Sequence, residues 1–595
     1  MICLNTGIDI IVVTYNSEKW IDGLIKSIEN SHYNHKNIHL TFVDNASSDN
    51  TVLCLKEKQV NHSFGSFNII PLSENVGFGA ANNIGVEKTN QPYVFFLNVD
   101  TELLPDTLSE LAKEIENSDS SVALWECRQF PYEHPKLYNP VNLETSWSSA
   151  AACVVKRECF NEVGGFDEKI FMYAEDVDLS WRLRANGYKL KYVPQCVVYH
   201  YTYKNAGEVK PNQFYNSTFN NLMLRYKFGS FKDIVNGYFL YNTLFSVNGP
   251  AANHKRILIN NLLKSFFIGI KFRKWYRKNK HLNFKPTFRG WDYELTRDGA
   301  FFVNEKPRKS PLVSVIVRTC GRPNVLREAL KSIENQTYKN IQVVIVEDGP
   351  DISKEMIEKE FSHLNYIYYA TIEKVGRCKV GNIALSLAKG EYFNFLDDDD
   401  VFYADHVEVL VNALINNPHY QAAYSLAFET PIKVKSLNPY VYEELFHNVQ
   451  YRQKFNKLLL LHQNYFPIQT VLFSRELYEK FGGFDVNLEV LEDWDLWIRY
   501  ASHSNFLFVE KLTSIYRVPA DKNLSYERQQ KLDKYLSIVR KKHENTVLEL
   551  AVGDLREDVE NLLQRTSIIY KFKNMDFRTF LFKVKNKIYK WLRSK

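Results

Sequence analysis

The stretch DIIVVTYNSEKWIDGLIKSIEN, residues 9–30, recurs as SVIVRTCGRPNVLREALKSIEN at residues 314–335. Each is a β-rich apolar run, a polar turn, and a helix with apolar positions at helical spacing. The correspondence continues in the same order. HLTFVDNASSDNT is matched by QVVIVEDGPDIS, ENVGFGAANNIG by EKVGRCKVGNIA, and YVFFLNVD by YFNFLDDDD. VGGFDEKIFMYAEDVDLSWRLR is then matched by FGGFDVNLEVLEDWDLWIRY. The offset is steady: Asp100 to Asp399 is 299 residues, and Asp176 to Asp493 is 317. The chain is therefore a tandem duplication of a domain of about 200 to 220 residues. Strands alternate with helices, which predicts an α/β fold with a largely parallel sheet in each copy. Ligands of such sheets sit beyond the C-terminal strand ends. The acidic clusters fall there.

Between the copies, residues 206–310 are aromatic and basic with helical spacing, as in RILINNLLKSFFIGIKFRKWYRKNK. They read as helices packing on the first domain, followed by a linker. The expected organisation is a first domain at 1–205, this extension at 206–310, a second domain at 311–520, and a helical basic tail at 521–595. A length of 595 residues agrees with more than one core. Hydrophobic residues at 45% and charged residues at 24% describe a globular chain. A net charge of +6 is too small for its size to argue for nucleic acid. The start MICLNTGIDIIVVTYN lacks a signal-peptide pattern. No apolar run approaches the roughly 18 residues of a membrane span. The eight cysteines are scattered without a C-x-x-C pair, so a reduced, cytoplasmic protein without disulfides or structural zinc is expected.

Three constellations carry chemistry. In FLDDDD an apolar strand ends in Asp397, Asp398, Asp399 and Asp400. Hard cations such as Mg2+ or Mn2+ take oxygen ligands and share them with substrate phosphates. An isolated acidic run is more often a solvated turn; register with the other motifs favours the metal. In AEDVDLSWRLR and LEDWDLWIRY, Asp176 and Asp493 fall at a helix start. Acids there suit capping and the helix dipole, or serve as a general base toward a sugar hydroxyl. The GGFD turn upstream of both favours the base. In VDNASSDNT and VEDGPD, Asp44, Asn45, Glu347 and Asp348 are placed to bond a nucleobase or ribose, although an Asx-type turn is the simpler account.

The ordered set resembles the family 2 inverting glycosyltransferases of GT-A fold, over about residues 8–205 and again 311–520. The resemblance implies transfer of a sugar from a nucleotide-sugar with a divalent cation, Mn2+ or Mg2+, as cofactor. It places the metal-binding D-x-D motif on Asp397, Asp398 and Asp399, with Asp399 nearest the metal. It places the base on Asp176 and Asp493, and the nucleotide contacts on Asp44, Asn45, Glu347 and Asp348. Thr14, Tyr15, Thr319 and Arg322 would line the same pocket, with Asn82 and Arg377 as further donor contacts. The first copy departs from the pattern in having Asn98-Val99-Asp100. It resembles the rhamnosyltransferase-type branch, where Asn is usual at that place. Asp100 keeps the metal-proximal acid, and His200 resembles a family histidine that completes the shell. The second copy has Arg517 near that place, where it would meet a diphosphate by charge.

Trp147, Glu175, Glu492 and Trp494 are the acceptor-side candidates; Trp497 could stack on a sugar as well, and core packing is the simpler role for at least one tryptophan. The segment DFRTFLFKVKNKIYKWLRSK, 576–595, carries apolar residues at helical spacing among lysines and arginines. This fits a helix lying on anionic lipid, with a packing helix as the plainer alternative. The expectation is a two-site transferase for a bacterial surface polysaccharide (O-antigen, capsule or cell-wall glycan). It would act at the inner face of the plasma membrane on a glycan or lipid-linked acceptor, with dTDP-rhamnose a candidate donor for the first copy. The rivals are a protein active only in its second copy and a non-catalytic glycan-binding scaffold.

Overall fold

A computed structural model describes residues 6–205, 207–298, 301–302, 309–547 and 550–566. The segment 576–595 lies outside the described residues. The chain divides into two compact units, Met1–Lys306 and Pro307–Lys595.

The sheet of the first unit runs Ser66–Pro71, Ile38–Asp44, Ile8–Thr14, Tyr93–Leu97, Ala152–Lys156, Val122–Phe130, Lys189–His200 and Thr101–Leu103. The first four strands are mutually parallel, and Ala152–Lys156 enters antiparallel. The second unit has the same order: Tyr366–Ala370, Ile341–Glu347, Val313–Thr319, Tyr392–Asp397, Val471–Ser474, Ala422–Leu437, Phe506–Pro519 and Val401–Phe402. The fold is thus the expected α/β class, two tandem units each built on a mostly parallel sheet.

Local sequence explains the elements. Ile8–Thr14 and Val313–Thr319 are near-continuous apolar runs because helices cover both faces of a parallel sheet. Glu18–Glu29 buries Ile21, Leu24, Ile25 and Ile28, an i, i+3, i+4, i+7 stripe. Pro323–Glu334 buries Val325, Leu326, Ala329, Leu330 and Ile333, and starts on a proline whose missing N–H is no loss at that position. The GGFD turns use left-handed backbone, with φ of +80° and +65° at Gly164 and Gly165 and +73° at Gly482. A side chain would be strained at each.

In the first unit, the helices Pro211–Phe228, Phe231–Thr243 and His254–Lys278 follow the sheet. The first packs against both of the others around Leu222, Tyr226, Phe228 and Phe272. The second unit ends in Lys522–Lys542 and Val552–Thr566. None of the described helices is long and apolar enough to cross a membrane. The described cysteines form no disulfide.

Candidate active site

Both sheets deliver chemistry-bearing residues beyond the C-terminal end of their central strand. In the first unit Tyr93–Leu97 runs into Asn98 and Asp100. His200, the last residue of its strand, places Nε2 3.3 Å from Asp100 Oδ1 and 3.3 Å from Asn98 Nδ2. Its Nδ1 lies 2.8 Å from Gln129 Oε1. An Nδ1–H donating to Gln129 leaves the Nε2 lone pair facing Asp100. Asn98 Oδ1 is buried and has no hydrogen-bond partner. A carboxylate, an imidazole lone pair and an orphaned carbonyl oxygen suit a divalent cation that also draws ligands from phosphate.

The same end of the second unit is organised by arginines. Arg318 grips Asp397 through Nε and Nη2 at 2.7 and 2.9 Å, and gives Nη1 to Glu492 at 3.0 Å. Arg322 pairs with Asp398 and lies 3.4 Å from Asp399, while Thr319 donates to Asp398 at 2.7 Å. Asp400 is buried and accepts the Arg517 N–H at 3.0 Å. The Arg517 guanidinium donates to the Asp399 carbonyl at 3.2 Å and pairs with Glu328 at 2.7 Å. The strand register puts Tyr516, not Arg517, at the level His200 holds in the first unit. The cation fit is therefore poorer here. Of the four aspartates, Asp399 has the most open side chain, 38% exposed, with Arg322 at 3.4 Å.

The charge pattern explains the difference between the two motifs. Arg318 corresponds to Val13 and Asp397 to Asn98, so an ion pair in one unit is a neutral pair in the other. Arg318→Val should destabilise the second unit by about 3–5 kcal/mol, because it strands a buried carboxylate. Adding Asp397→Asn should recover at least about 1 kcal/mol, measured as a double-mutant cycle by denaturant unfolding.

The candidate bases occupy matching places. Asp176 and Asp493 sit in the first turn of Glu175–Ala185 and Glu492–Ala501. Each accepts the next backbone N–H at 2.8 Å, and Asp493 also accepts Asn464 Nδ2 at 2.9 Å. The residue before each helix, Ala174 or Leu491, has left-handed backbone, φ +73° and +63°. For a non-glycine residue this costs about 1–2 kcal/mol, strain of the kind found where a structure must aim a side chain. Burial and then the Glu492 charge push Asp493 up to about 7. Burial also raises Asp176, and pushes Glu175 well above the usual carboxylate range, helped by Asp176. Glu492 instead has Arg318 and, at 3.5 Å, Arg377.

In the second unit Arg318, Arg377, Asp397, Asp399, Asp493 and Arg517 all line one cleft of about 1310 Å3. In the first unit Tyr173 lies within electrostatic reach of both Asp100 and Glu175, which links the two acidic groups there.

Several of the other expected site residues make hydrogen bonds within their own unit. Thr14 donates to Asp44 at 2.9 Å, and Asp44 also takes the Ser47 N–H. Asn45 accepts from Val76 N at 2.9 Å, as Asp348 does from Val375 N at 2.7 Å, so both clamp the following loop. Glu347 is fully buried and accepts from Gly321, Ile352 and Ser353 N–H groups. Asn82 is buried and bonds its own helix at Phe78 O. Tyr15, Arg322 and Arg377 remain open to solvent at 53%, 43% and 50%.

Two of the proposed sugar platforms need correction. Trp494 and Trp497 are wholly buried, and Trp494 Nε1 donates to Leu460 O at 2.6 Å. Neither has a free face. Trp147 is half-buried, with Lys136 Nζ 4.1 Å from its ring centroid.

Sequence reasoning missed a shared clamp. Lys227 meets Asp167 of the first GGFD turn at 2.7 Å and Asp178 at 2.5 Å. Lys542 meets Asp485 of the second at 2.6 Å and Asp495 at 2.7 Å. One lysine from the end of a later helix thus ties the turn to the helix of the candidate base in each unit. Also missed was the buried pair Lys136–Glu126, whose cation opposes the rise at Asp176.

The description "Glycosyl transferase family 2" belongs to a family model that matches residues 9–166 and 314–482. An uncharacterised glycosyltransferase of Rickettsia prowazekii is 32% identical over 206 residues, 33% of this chain and 61% of the relative. One of Rickettsia conorii is 23% identical over 539 residues, 87% of this chain and 80% of its own. The chain spans about three fifths of the length of the first curated relatives it matches. Among solved structures, a mannosyltransferase from Pyrobaculum calidifontis in complex with GDP-Man and Mn2+ aligns with a TM-score of 0.32 at 16% identity. That alignment covers 47% of this chain and 85% of that one. S. aureus TarS aligns at 0.33 and 16%, covering 47% and 52%. The two family matches together take in more than half of the chain and coincide with the two repeated units, so the chain belongs to glycosyl transferase family 2.

Proposed function

We propose that each unit transfers a sugar from a nucleotide-sugar to an acceptor hydroxyl with inversion, together building a bacterial surface polysaccharide. The carrying observation is the pair Asp176 and Asp493: matching, partly exposed carboxylates aimed from strained helix starts, with Asp493 raised to about 7. A carboxylate near neutrality in affinity is suited to take a proton from a hydroxyl as that oxygen attacks. In the second unit, Arg377 borders the cleft and Arg517 holds the loop of the strand-end acids; both set positive charge where a diphosphate would depart. In the first unit, Asp100 and His200 would hold a divalent cation, Mn2+ or Mg2+, whose charge offsets that of the leaving diphosphate. Asp399 is the corresponding candidate ligand in the second. The neutral Val13–Asn98 end of the first unit, set against the charged Arg318–Asp397 end of the second, supports different donors, with dTDP-rhamnose the candidate for the first. Half-buried Trp147 is the remaining platform for an acceptor sugar.

The test is to make Asp176→Asn and Asp493→Asn separately in the full chain and resolve products by mass. Each variant should lose one linkage and keep the other. A variant at Asp176 that forms every linkage normally would assign all transfer to the second unit. No release of nucleoside diphosphate by the wild type from any nucleotide-sugar would leave a binding scaffold.

A further inference from the structure

The helix His254–Lys278 in the first unit is apolar on two opposite faces. His254, Leu258, Ser265, Gly269 and Phe272 face inward and are buried. Gly269 lies so close to the Tyr226 ring that an added Cβ would stand 2.6 Å from it, so this face is firmly seated. The other side carries Ile259, Leu263, Phe266, Phe267 and Ile270, exposed by 48–72%. Helical spacing of 100° per residue gathers those five into one stripe opposite the buried one. A packing helix on a protein surface needs one apolar stripe; a second one asks for its own partner.

Charge narrows the choice of partner. The helix has eight lysines and arginines and no aspartate or glutamate. Lys255, Lys264 and Lys271 flank the outer stripe, and Lys274, Arg277 and Lys278 extend it; all six are exposed. None forms an ion pair with a carboxylate among the described residues. A second copy of this face would bring like charges together, which opposes self-association. The basic sequence 576–595 of the same chain offers no complement either. An anionic lipid surface satisfies both features at once, taking the apolar stripe below its headgroups and the lysines among them.

We propose that the outer face of His254–Lys278 docks the first unit on an anionic membrane surface. The acids of the candidate sites take no part, so the inference stands apart from the transferase reading. It is tested with full-length protein, without donor or acceptor, by co-sedimentation with vesicles of phosphatidylglycerol and phosphatidylcholine, against phosphatidylcholine alone. The wild type should partition onto the anionic vesicles and release at high salt. Leu263→Ser/Phe266→Ser/Phe267→Ser should weaken partition by about tenfold or more, with an unchanged unfolding midpoint because the three side chains are already exposed. Lys264→Glu/Lys271→Glu should weaken it as well, and only on the anionic vesicles. Undiminished binding by the serine variant overturns the proposal. So does a wild-type dimer in sedimentation velocity that the serine variant dissolves, which would make the face a contact between copies.

Discussion

Asp493→Asn should cut the turnover of the second unit by about 10²–10⁴-fold while leaving the nucleotide-sugar affinity close to wild type. The residue is held by the Trp494 N–H and Asn464, and an asparagine keeps the shape and loses the basicity. In the wild type, activity per second-unit site should climb with pH through about 7, where the carboxyl loses its proton. The stability consequence has the opposite sign. A carboxyl whose affinity for protons is raised by folding favours the folded state at low pH, and that advantage disappears as pH rises from about 4 to about 7. The asparagine variant escapes the loss. At pH 8 it should unfold at a higher denaturant midpoint than wild type, and the difference should vanish near pH 4. Equal midpoints at both pH values, or a flat activity profile between pH 6 and 8, would remove Asp493 from the role of base.

Lys227→Met should destabilise the first unit by about 3–5 kcal/mol, the range for removing one partner from buried ion pairs. Its ammonium is 2% exposed and contacts Asp167 and Asp178, the second of which is wholly buried. Burial favours protonation of Asp167, and Lys227, with Lys169 beside it, more than offsets that, holding the carboxyl below its usual range. Arg182 stays with Asp178 at 2.7 Å, which limits the loss. Hydrogen exchange should quicken across Glu175–Ala185 and Pro211–Phe228, with second-unit peptides unaffected. Lys227→Met/Asp178→Asn should regain part of the loss. The turn and the base-bearing helix share this lysine, so first-unit transfer should fall further than the folded fraction alone explains.

The fold was legible because it rests on short-range pattern repeated twice. Apolar runs, helical stripes and the GGFD glycines lie within a few residues of one another, and the duplication checks each against its counterpart. The candidate site was legible only as local pattern, in the acidic strand ends and the Glu-Asp helix starts that the fold places at matching positions in the two units. Arg318 was missed because its partners Asp397 and Glu492 lie 79 and 174 residues away. Lys227 was missed for the same reason, and it comes from a helix with no counterpart in motif. The left-handed backbone at Ala174 and Leu491 has no sequence signal, since neither residue favours it. Trp494 misled because a tryptophan beside a candidate base looks like a sugar platform; alternate helix positions decide whether it points to the cleft or the core. Asp44, Asn45, Glu347 and Asp348 accept hydrogen bonds from nearby loops, a bracing that their turn-like composition already suggested.

The exchange of Arg318–Asp397 for Val13–Asn98 bears on how two repeats within one gene stay different. Gene conversion between repeats copies short tracts from one to the other. A tract carrying Asp397 into the first repeat without Arg318, which lies 79 residues upstream, would leave a carboxylate beside Val13 with no guanidinium to meet it. The reverse tract would leave Arg318 facing an amide. Either product would lose the charge match that Arg318 and Asp397 make across the strand ends. Positions 318 and 397 are therefore coupled, and a change at one calls for a matching change at the other.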